Sequence, residues 1–180
     1  MKIRKEEERD YDEVYDLVKT AFDSAEHADG NEQDLVKALR KSSAFVPELS
    51  LVAEENRKIT GHIMFTEVRI GDKTGLALAP LSVLPECQNQ GIGMELIKEG
   101  HRIASQMGYG ISVVVGSERY YPKAGYQKAE DYGVKDPFHV PSENFMICGL
   151  GEEIGKYQGT VLYAEEFYTE ETGKEQEESE

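Results

Sequence analysis

The chain alternates between two hydrophobic periods. Val14, Leu17, Val18 and Phe22 recur at the spacing of one helix face, with Asp10 placed to cap its start. After the polar break "DSAEHADG", Leu35, Val36 and Leu39 mark a second helix face that Asn31 can cap. Residues 49–84 then change period. "LSLVAEE" alternates, "NRK" turns the chain, "ITGHIMFTEVRI" runs on, "GDKTG" makes a hairpin-type loop and "LALAPLSVL" follows as a buried strand. This predicts three antiparallel strands, with "MKIRKEE" as a short strand ahead of the helices. Ile92, Leu96, Ile97, Ile103, Ala104 and Met107 form a long helical stripe that ends at Gly108. "GISVVV" reads as a fully buried strand, and "SERYYPKAGY" as a short helix or turn leading to another. Pro137 and Pro141 bracket a loop, "ENFMICGL" is a strand, and "TVLYAEEF" adds a late extended piece. The predicted order is βααβββαβαββ, with neither internal repeats nor an interdomain linker. It belongs to the α+β class, one domain around a mixed sheet.

Composition narrows this picture. A chain of 180 residues with 39% apolar and 31% charged residues is long enough to bury a real core. Its apolar stretches are too short to span a bilayer, and "MKIRKEEERD" carries no apolar segment behind its basic residues, so it does not read as a secretory signal. Only Cys87 and Cys148 are present, with no spaced pair that reads as a zinc site. A cytoplasmic protein with reduced thiols is expected, with no membrane partner and no metal. The formal charge is −15. Residues 165–180, "EEFYTEETGKEQEESE", set eight glutamates against Lys174. They read as an acidic, disordered tail behind a domain of residues 1–164. The body is still acidic without them. Nucleic-acid binding is disfavoured, because phosphate neutralisation needs clustered Lys and Arg, and a cationic partner suits the field.

Candidate chemistry concentrates in residues 83–96, "VLPECQNQGIGMEL". A helix start leaves backbone N–H groups unpaired, and the aligned peptide dipoles put roughly half a positive charge there. Anions bind such places without Lys or Arg. Gly91 and Gly93 remove side chains that would block close approach, and Gln88, Asn89 and Gln90 add amide donors. A Walker loop is excluded, since no Lys-Ser/Thr pair follows the glycines; a dinucleotide fingerprint is excluded because Leu96 stands where its third glycine belongs. Taken alone, the two glycines also suit a plain strand-to-helix turn.

The segment Gln88-Asn89-Gln90-Gly91-Ile92-Gly93 matches (Arg/Gln)-x-x-Gly-x-(Gly/Ala), and Tyr121-Pro122-Lys123-Ala124-Gly125-Tyr126 matches Tyr-x-x-x-Gly-(Phe/Tyr). Together, over about residues 76–128, they resemble the GNAT superfamily of N-acetyltransferases. The resemblance implies a GNAT-like fold: a mostly antiparallel central sheet, splayed between strands four and five and flanked by helices. It implies acetyl-CoA as cosubstrate and no metal. The loop of Gln88, Asn89, Gln90, Gly91, Ile92, Gly93 and Met94 would take the pyrophosphate. Backbone around Leu81 and Val83 would meet the pantetheine, which lies between the splayed strands like an added one. Pro80 fits, since it cannot donate to a ladder and demands a bulge or an edge. Tyr121 would be the general acid for the departing CoA thiolate while also lining the cofactor site. The base is less defined: Glu67 and His62 on the second long strand are candidates, though both suit structural or solvated roles. The acceptor would be an amine of a small molecule or peptide, cationic by the charge argument, such as a polyamine, an aminoglycoside-like molecule or a basic peptide terminus. Members are often homodimers, and the sequence holds no diagnostic interface.

Gln88 stands where many members carry Arg, which removes a fixed charge beside the pyrophosphate. Cys87 has no partner base, and direct amine attack needs no covalent intermediate. Lys98, Arg102 and Lys123 are candidates for an adenosine phosphate. Glu26, His27, Asp29, Glu32 and Asp34 form a polar group near the expected substrate entrance, without a calcium-loop pattern. Two other readings are a non-catalytic acyl-CoA-binding or regulatory domain of the same fold, and a nucleotide-phosphate binder.

Overall fold

A computed structural model describes residues 1–23 and 30–168. The elements are β1 (Lys2–Lys5), α1 (Tyr11–Asp23), α2 (Glu32–Leu39), β2 (Phe45–Glu55), β3 (Lys58–Ile70), β4 (Lys73–Val83), α3 (Ile92–Gln106), β5 (Ile111–Val115), β6 (Gln127–Lys128), β7 (Val134–Lys135), β8 (Phe145–Gly149) and β9 (Gly159–Leu162). The sheet runs β1-β2-β3-β4-β5-β8-β6, with β9 pairing the end of β3 and, in parallel, β7. Along the path from β1 to β6 it is antiparallel except where β4 meets β5. The α+β class and the mixed sheet are those expected. The helix or turn expected in "SERYYPKAGY" is a 3-10 turn at Tyr121–Ala124, and the strand behind it has only two residues, Gln127 and Lys128.

Side-chain alternation along β3 assigns the faces. Ile63 and Phe65 point into a core shared with Leu96 and Ile97 of α3. Met64, between them, joins Val14, Leu17 and Val18 of α1 and Val36 and Leu39 of α2. The sheet is therefore covered by α3 on one side and by α1 and α2 on the other, each fully buried aliphatic side chain contributing about 1.5–3 kcal/mol. A third cluster, with Ile70, Val113, Ile147, Val161 and Tyr163, closes the sheet end where β9 adds on. One helical turn over residues 165–168 lays Phe167 and Tyr168 against it, four residues past the expected limit of the domain at 164. Residues 169–180, the greater part of the expected tail, lie outside the described residues.

Two capping expectations are corrected. Asp10 does not cap α1; its carboxylate accepts from both terminal nitrogens of Arg4 at 2.7 and 2.9 Å and from the Glu7 N–H at 2.8 Å, which ties β1 to the start of α1. An ion pair with a strand residue outcompetes a local cap. Asn31 holds the N-cap position of α2, where its carbonyl receives the Asp34 and Leu35 N–H groups, but its side chain makes no cap hydrogen bond.

His62, a candidate base in the sequence, is fully buried on the α1/α2 face of β3. Arg40, at the end of α2, donates to both oxygens of Glu6 at 3.0 and 2.7 Å and stacks on the Tyr11 ring at 4.0 Å. Ser50 donates to Glu6 at 3.0 Å and meets His62 Nε2 at 3.1 Å. With the Ser50 proton given to Glu6, His62 Nε2 must be the donor, a role that the neutral Nε2–H tautomer and the imidazolium both fill; burial selects the neutral form. The knot bolts β1, α2, β2 and β3 together and holds His62 away from any solvent-open chemistry.

Burial pushes the His62 pKa down to about 4, Glu6 pulling the other way; burial alone brings His101 to about 4 as well. The unfolded chain, with a histidine pKa near ~6.5, takes up these protons first. The contribution is thus complete above about pH 6.5 and is lost as pH falls towards about 4. Tm measured from pH 7.5 to 4.5 should fall more steeply for the native chain than for His62→Gln; equal slopes would contradict the neutral, buried His62.

Candidate active site

β4 and β5 share only two residue pairs, Leu76 with Ser112 and Ala77 with Val113. Beyond them the strands separate. On its other side β4 stays paired to β3, but the register shifts between Ile63–Leu81 and Phe65–Leu78, so Ala79 and Pro80 stand opposite Met64 alone. This is the bulge that Pro80 demanded. The β5-facing edge of β4 over residues 78–83 is left without a partner strand, and a cleft of about 1080 Å³ opens there.

The loop from Pro85 to Gly91 leads into α3 at the mouth of this cleft. Gly91 adopts φ +86°, a left-handed conformation that favours glycine, and a methyl on it would meet nothing within 4 Å. Gly93 has the opposite reason: a methyl there would overlap the Tyr120 hydroxyl, with the ring carbon behind it at 3.4 Å. The Glu95 N–H is the first to close the helix, onto the Gly91 carbonyl at 3.1 Å. The N–H groups of Ile92, Gly93 and Met94 precede that ladder and point out of the helix start.

The cleft collects most of the residues singled out in the sequence. Leu81, Val83, Gln88, Asn89, Gly91, Ile92, Gly93, Met94 and Tyr121 all line it. Gln90 does not; its amide donates to the Glu86 carbonyl at 3.4 Å and braces the loop. Gln88 likewise donates to the Val83 carbonyl at 3.2 Å. Two of the three expected donors are therefore spent on the loop itself. Glu67 is not brought to the cleft. Along β3, Gly61 faces Ile92 and Leu96, Phe65 faces Gly100, and Glu67 accepts from Tyr109 Oη at 2.5 Å, beyond the other end of α3. Arg102 is engaged by Glu99 at 2.5 and 3.0 Å. Glu32 lines the cleft and Asp34 accepts from Tyr15 at 2.9 Å, whereas Glu26, His27 and Asp29 lie outside the described residues.

Tyr121 sits in the 3-10 turn after β5. Its ring packs so closely on the Gly116 Cα that a methyl there would overlap it. It stands edge-on to Tyr120 at 5.1 Å and to Tyr126 at 5.8 Å. The Tyr126 hydroxyl is anchored by His101 and Ser112, each at 2.9 Å, so the ring behind Tyr121 is fixed from α3 and from β5. Burial, with a smaller effect of Tyr120, raises the Tyr121 pKa well above the usual phenol value. Tyr121 is thus a protonated donor throughout the neutral range.

Sequence reasoning missed a second part of the cleft wall: Tyr120, Phe138, Val140, Tyr163 and Phe167. For Phe138, Val140 and Phe167 the local signal is apolar residues in otherwise polar or proline-bounded stretches, "PFHVP" and "EEFY". Among the described residues no group of three or more His, Cys, Asp or Glu is placed to hold a metal ion. No helix among them is long and apolar enough to cross a membrane.

A strand pair that parts over a helix start, with a tyrosine from the following turn in the same cleft, is the geometry the two motifs implied. The family profile of the acetyltransferase (GNAT) domain matches residues 2–129. The chain belongs to the GNAT acetyltransferase family. It is 36% identical over 118 residues to the uncharacterized N-acetyltransferase YjhQ of Escherichia coli (strain K12), an alignment covering 63% of this chain and 65% of that protein. The chain therefore spans slightly under two thirds of YjhQ. It is 26% identical to the uncharacterized N-acetyltransferase YhbS of the same strain, covering 84% of this chain and 89% of YhbS. The fold of the E. coli GNAT family N-acetyltransferase YhbS, solved in complex with CoA, superposes with a TM-score of 0.84 at 23% identity, over 93% of this chain and 91% of the other. A GNAT family acetyltransferase from Brucella melitensis, solved with acetyl-CoA, gives a TM-score of 0.78 at 33% identity, over 92% and 97%.

The two glycines make a separable prediction. Gly93→Ala should destabilise the protein by the ~1–3 kcal/mol of an overpacked contact. Thermal melts should show this as a Tm lowered by several degrees, at about 2–4 °C per kcal/mol for a chain of this size. Adding Tyr120→Phe should restore most of the loss, because the overlapping atom is the hydroxyl. An uncorrected loss in the double variant would place the steric conflict elsewhere.

Proposed function

We propose that the protein transfers the acetyl group of acetyl-CoA to an amine by direct attack, with Tyr121 donating a proton to the departing thiolate. The observation that carries this is one cleft lined by the start of α3, the unpaired edge of β4 and the Tyr121 ring. The acetyl-CoA complex of the Brucella melitensis relative supports the choice of cosubstrate. The diphosphate would accept from the N–H groups at the start of α3, where the helix dipole favours negative charge. The pantetheine amides would pair with the open edge of β4 over residues 78–83, as an added strand would.

In the chemical step the neutral amine nitrogen forms a bond to the thioester carbonyl carbon, and the carbon–sulfur bond breaks. The electron pair of that bond leaves on sulfur, the Tyr121 hydroxyl supplies the proton or a strong hydrogen bond, and the proton that the attacking nitrogen sheds in becoming an amide passes to water or back to the Tyr121 phenolate. A phenol whose pKa is raised by burial keeps its proton for this task across the working pH range. Alkylamines have a pKa near ~10.4 in water, and apolar walls shift such a group towards the neutral, nucleophilic form. Cys87 also lines the cleft, but the one-step route assigns it no covalent role.

Tyr121→Phe keeps the ring against Gly116 and removes only the donor. Free-CoA release with an accepted amine should fall by roughly 10²–10⁴-fold, with calorimetric affinity for acetyl-CoA within a few-fold of the parent. Undiminished turnover would remove the general-acid role. Tight acetyl-CoA binding by the parent without transfer to any amine in a broad panel would favour a binding module instead.

A further inference from the structure

The cleft does not end where the thioester would lie. It continues to a second region, walled by Phe22 of α1, Glu32 and Leu35 of α2, and by Phe138, Tyr163 and Phe167 from the far end of the chain. The rings of this wall hold one another. Phe138 lies 5.4 Å from both Tyr163 and Tyr168, and Tyr163 lies 5.3 Å from Phe167. The Tyr163 N–H donates to Tyr168 Oη at 3.3 Å. The Asp136 carboxylate accepts from the N–H groups of Phe138 at 3.2 Å and Val140 at 2.9 Å, which sets the loop carrying Phe138. An aromatic wall braced in this way by its own contacts loses little freedom when an apolar group docks on it.

Charge is scarce here. Among the described residues lining the whole cleft, Glu32 is the one charged side chain. A polycation would have to bring several ammonium groups against apolar walls with, among the described residues, a single counter-charge in the lining, and each unpaired one bears a desolvation penalty. A single ammonium meets one carboxylate and can also lie on aromatic faces.

From this lining, and resting on the acetyltransferase reading above, we infer that the acceptor is a primary monoamine on an aromatic or similarly flat apolar body. The body packs on Phe138, Tyr163 and Phe167, and the amine carries one charge matched by Glu32. This departs from the polyamine or aminoglycoside-like acceptor that net charge alone suggests.

Calorimetry on the full chain saturated with CoA tests the pocket without requiring turnover, with 2-phenylethylamine, spermidine and 2-phenylethanol as probes. The amine 2-phenylethylamine should bind at least ~10-fold more tightly than spermidine. Phe138→Ala and Phe167→Ala should each weaken it by a similar factor while leaving CoA affinity intact, which also shows that the variants fold. Glu32→Gln should shrink the preference for 2-phenylethylamine over 2-phenylethanol. The inference is overturned if spermidine binds as well or better, if 2-phenylethylamine fails to bind at millimolar concentration, or if the wall variants leave its affinity unchanged. Free-CoA release from acetyl-CoA separates the two claims. If 2-phenylethylamine binds as described but no amine is ever acetylated, the transferase reading fails and the pocket assignment stands. If spermidine alone is acetylated, transfer stands and the acceptor class is wrong.

Discussion

Two residue pairs join β4 to β5, and the candidate site depends on their being only two. With Leu76–Ser112 and Ala77–Val113 in place, the sheet is continuous and its cores close on both faces. If pairing ran on through residues 78–83, the edge that can receive an extended ligand would be consumed by protein. The break has local causes. The bulge at Ala79 and Pro80 bends β4, and Pro80 has no N–H to give. The start of α3 then lies at the gap because β4 ends there and the loop at residues 84–91 is short. Tyr121 reaches the same gap from the other strand through the turn after β5. Helix start, open edge and phenol are consequences of one interrupted ladder.

The loop proposed for the cosubstrate was legible as a distinct feature because its signals are local. Gly91 and Gly93 lie two residues apart, Gly91 favoured by its left-handed backbone and Gly93 by the Tyr120 hydroxyl packed against it. The amides between Cys87 and Gly91 signalled a loop rich in donors; Gln90 braces the loop outside the cleft, while Gln88 both braces it and lines the cleft. Asp10 was misread because a cap is a local preference, while the partner that won, Arg4, comes from a neighbouring strand. Glu67 shows a different limit. Strand parity puts it on the same face as Ile63 and Phe65, but parity does not say how far along α3 a strand residue lies, and Glu67 lies past its end.

Apart from Glu32, which the sequence placed near the substrate entrance, the second wall was not legible. Its residues come from positions 22, 35, 138, 163 and 167, and no spacing relates them until the sheet has formed. Composition also hid two of the aromatic side chains. Residues 165–180 read as a charged tail because eight glutamates outweigh the rest, yet Phe167 and Tyr168 pack against the core that includes Tyr163 and Val161. A charged stretch averages away the few apolar residues that attach it. Periodicity could not rescue them either, since one helical turn is too short to show a period.

Net charge and local lining act over different distances. A formal −15 produces a field that reaches about a Debye length, ~8 Å at physiological ionic strength. That field repels the phosphates of CoA and attracts amines of every kind, so it selects against acidic acceptors and little else. At contact the order reverses. The first turn of α3 offers a diphosphate three N–H groups and the positive end of a dipole, and neither depends on the sign of the whole protein. On the acceptor proposed above, the far wall would offer an amine one carboxylate among aromatic rings, counted among the described residues, which limits the charge it can accommodate however strongly the surface draws polycations in. Arrival is governed by the sum of the charges. Retention and choice are governed by the few groups that a bound molecule touches, and on the binding modes proposed above those groups would oppose what the sum suggests at both ends of the cleft.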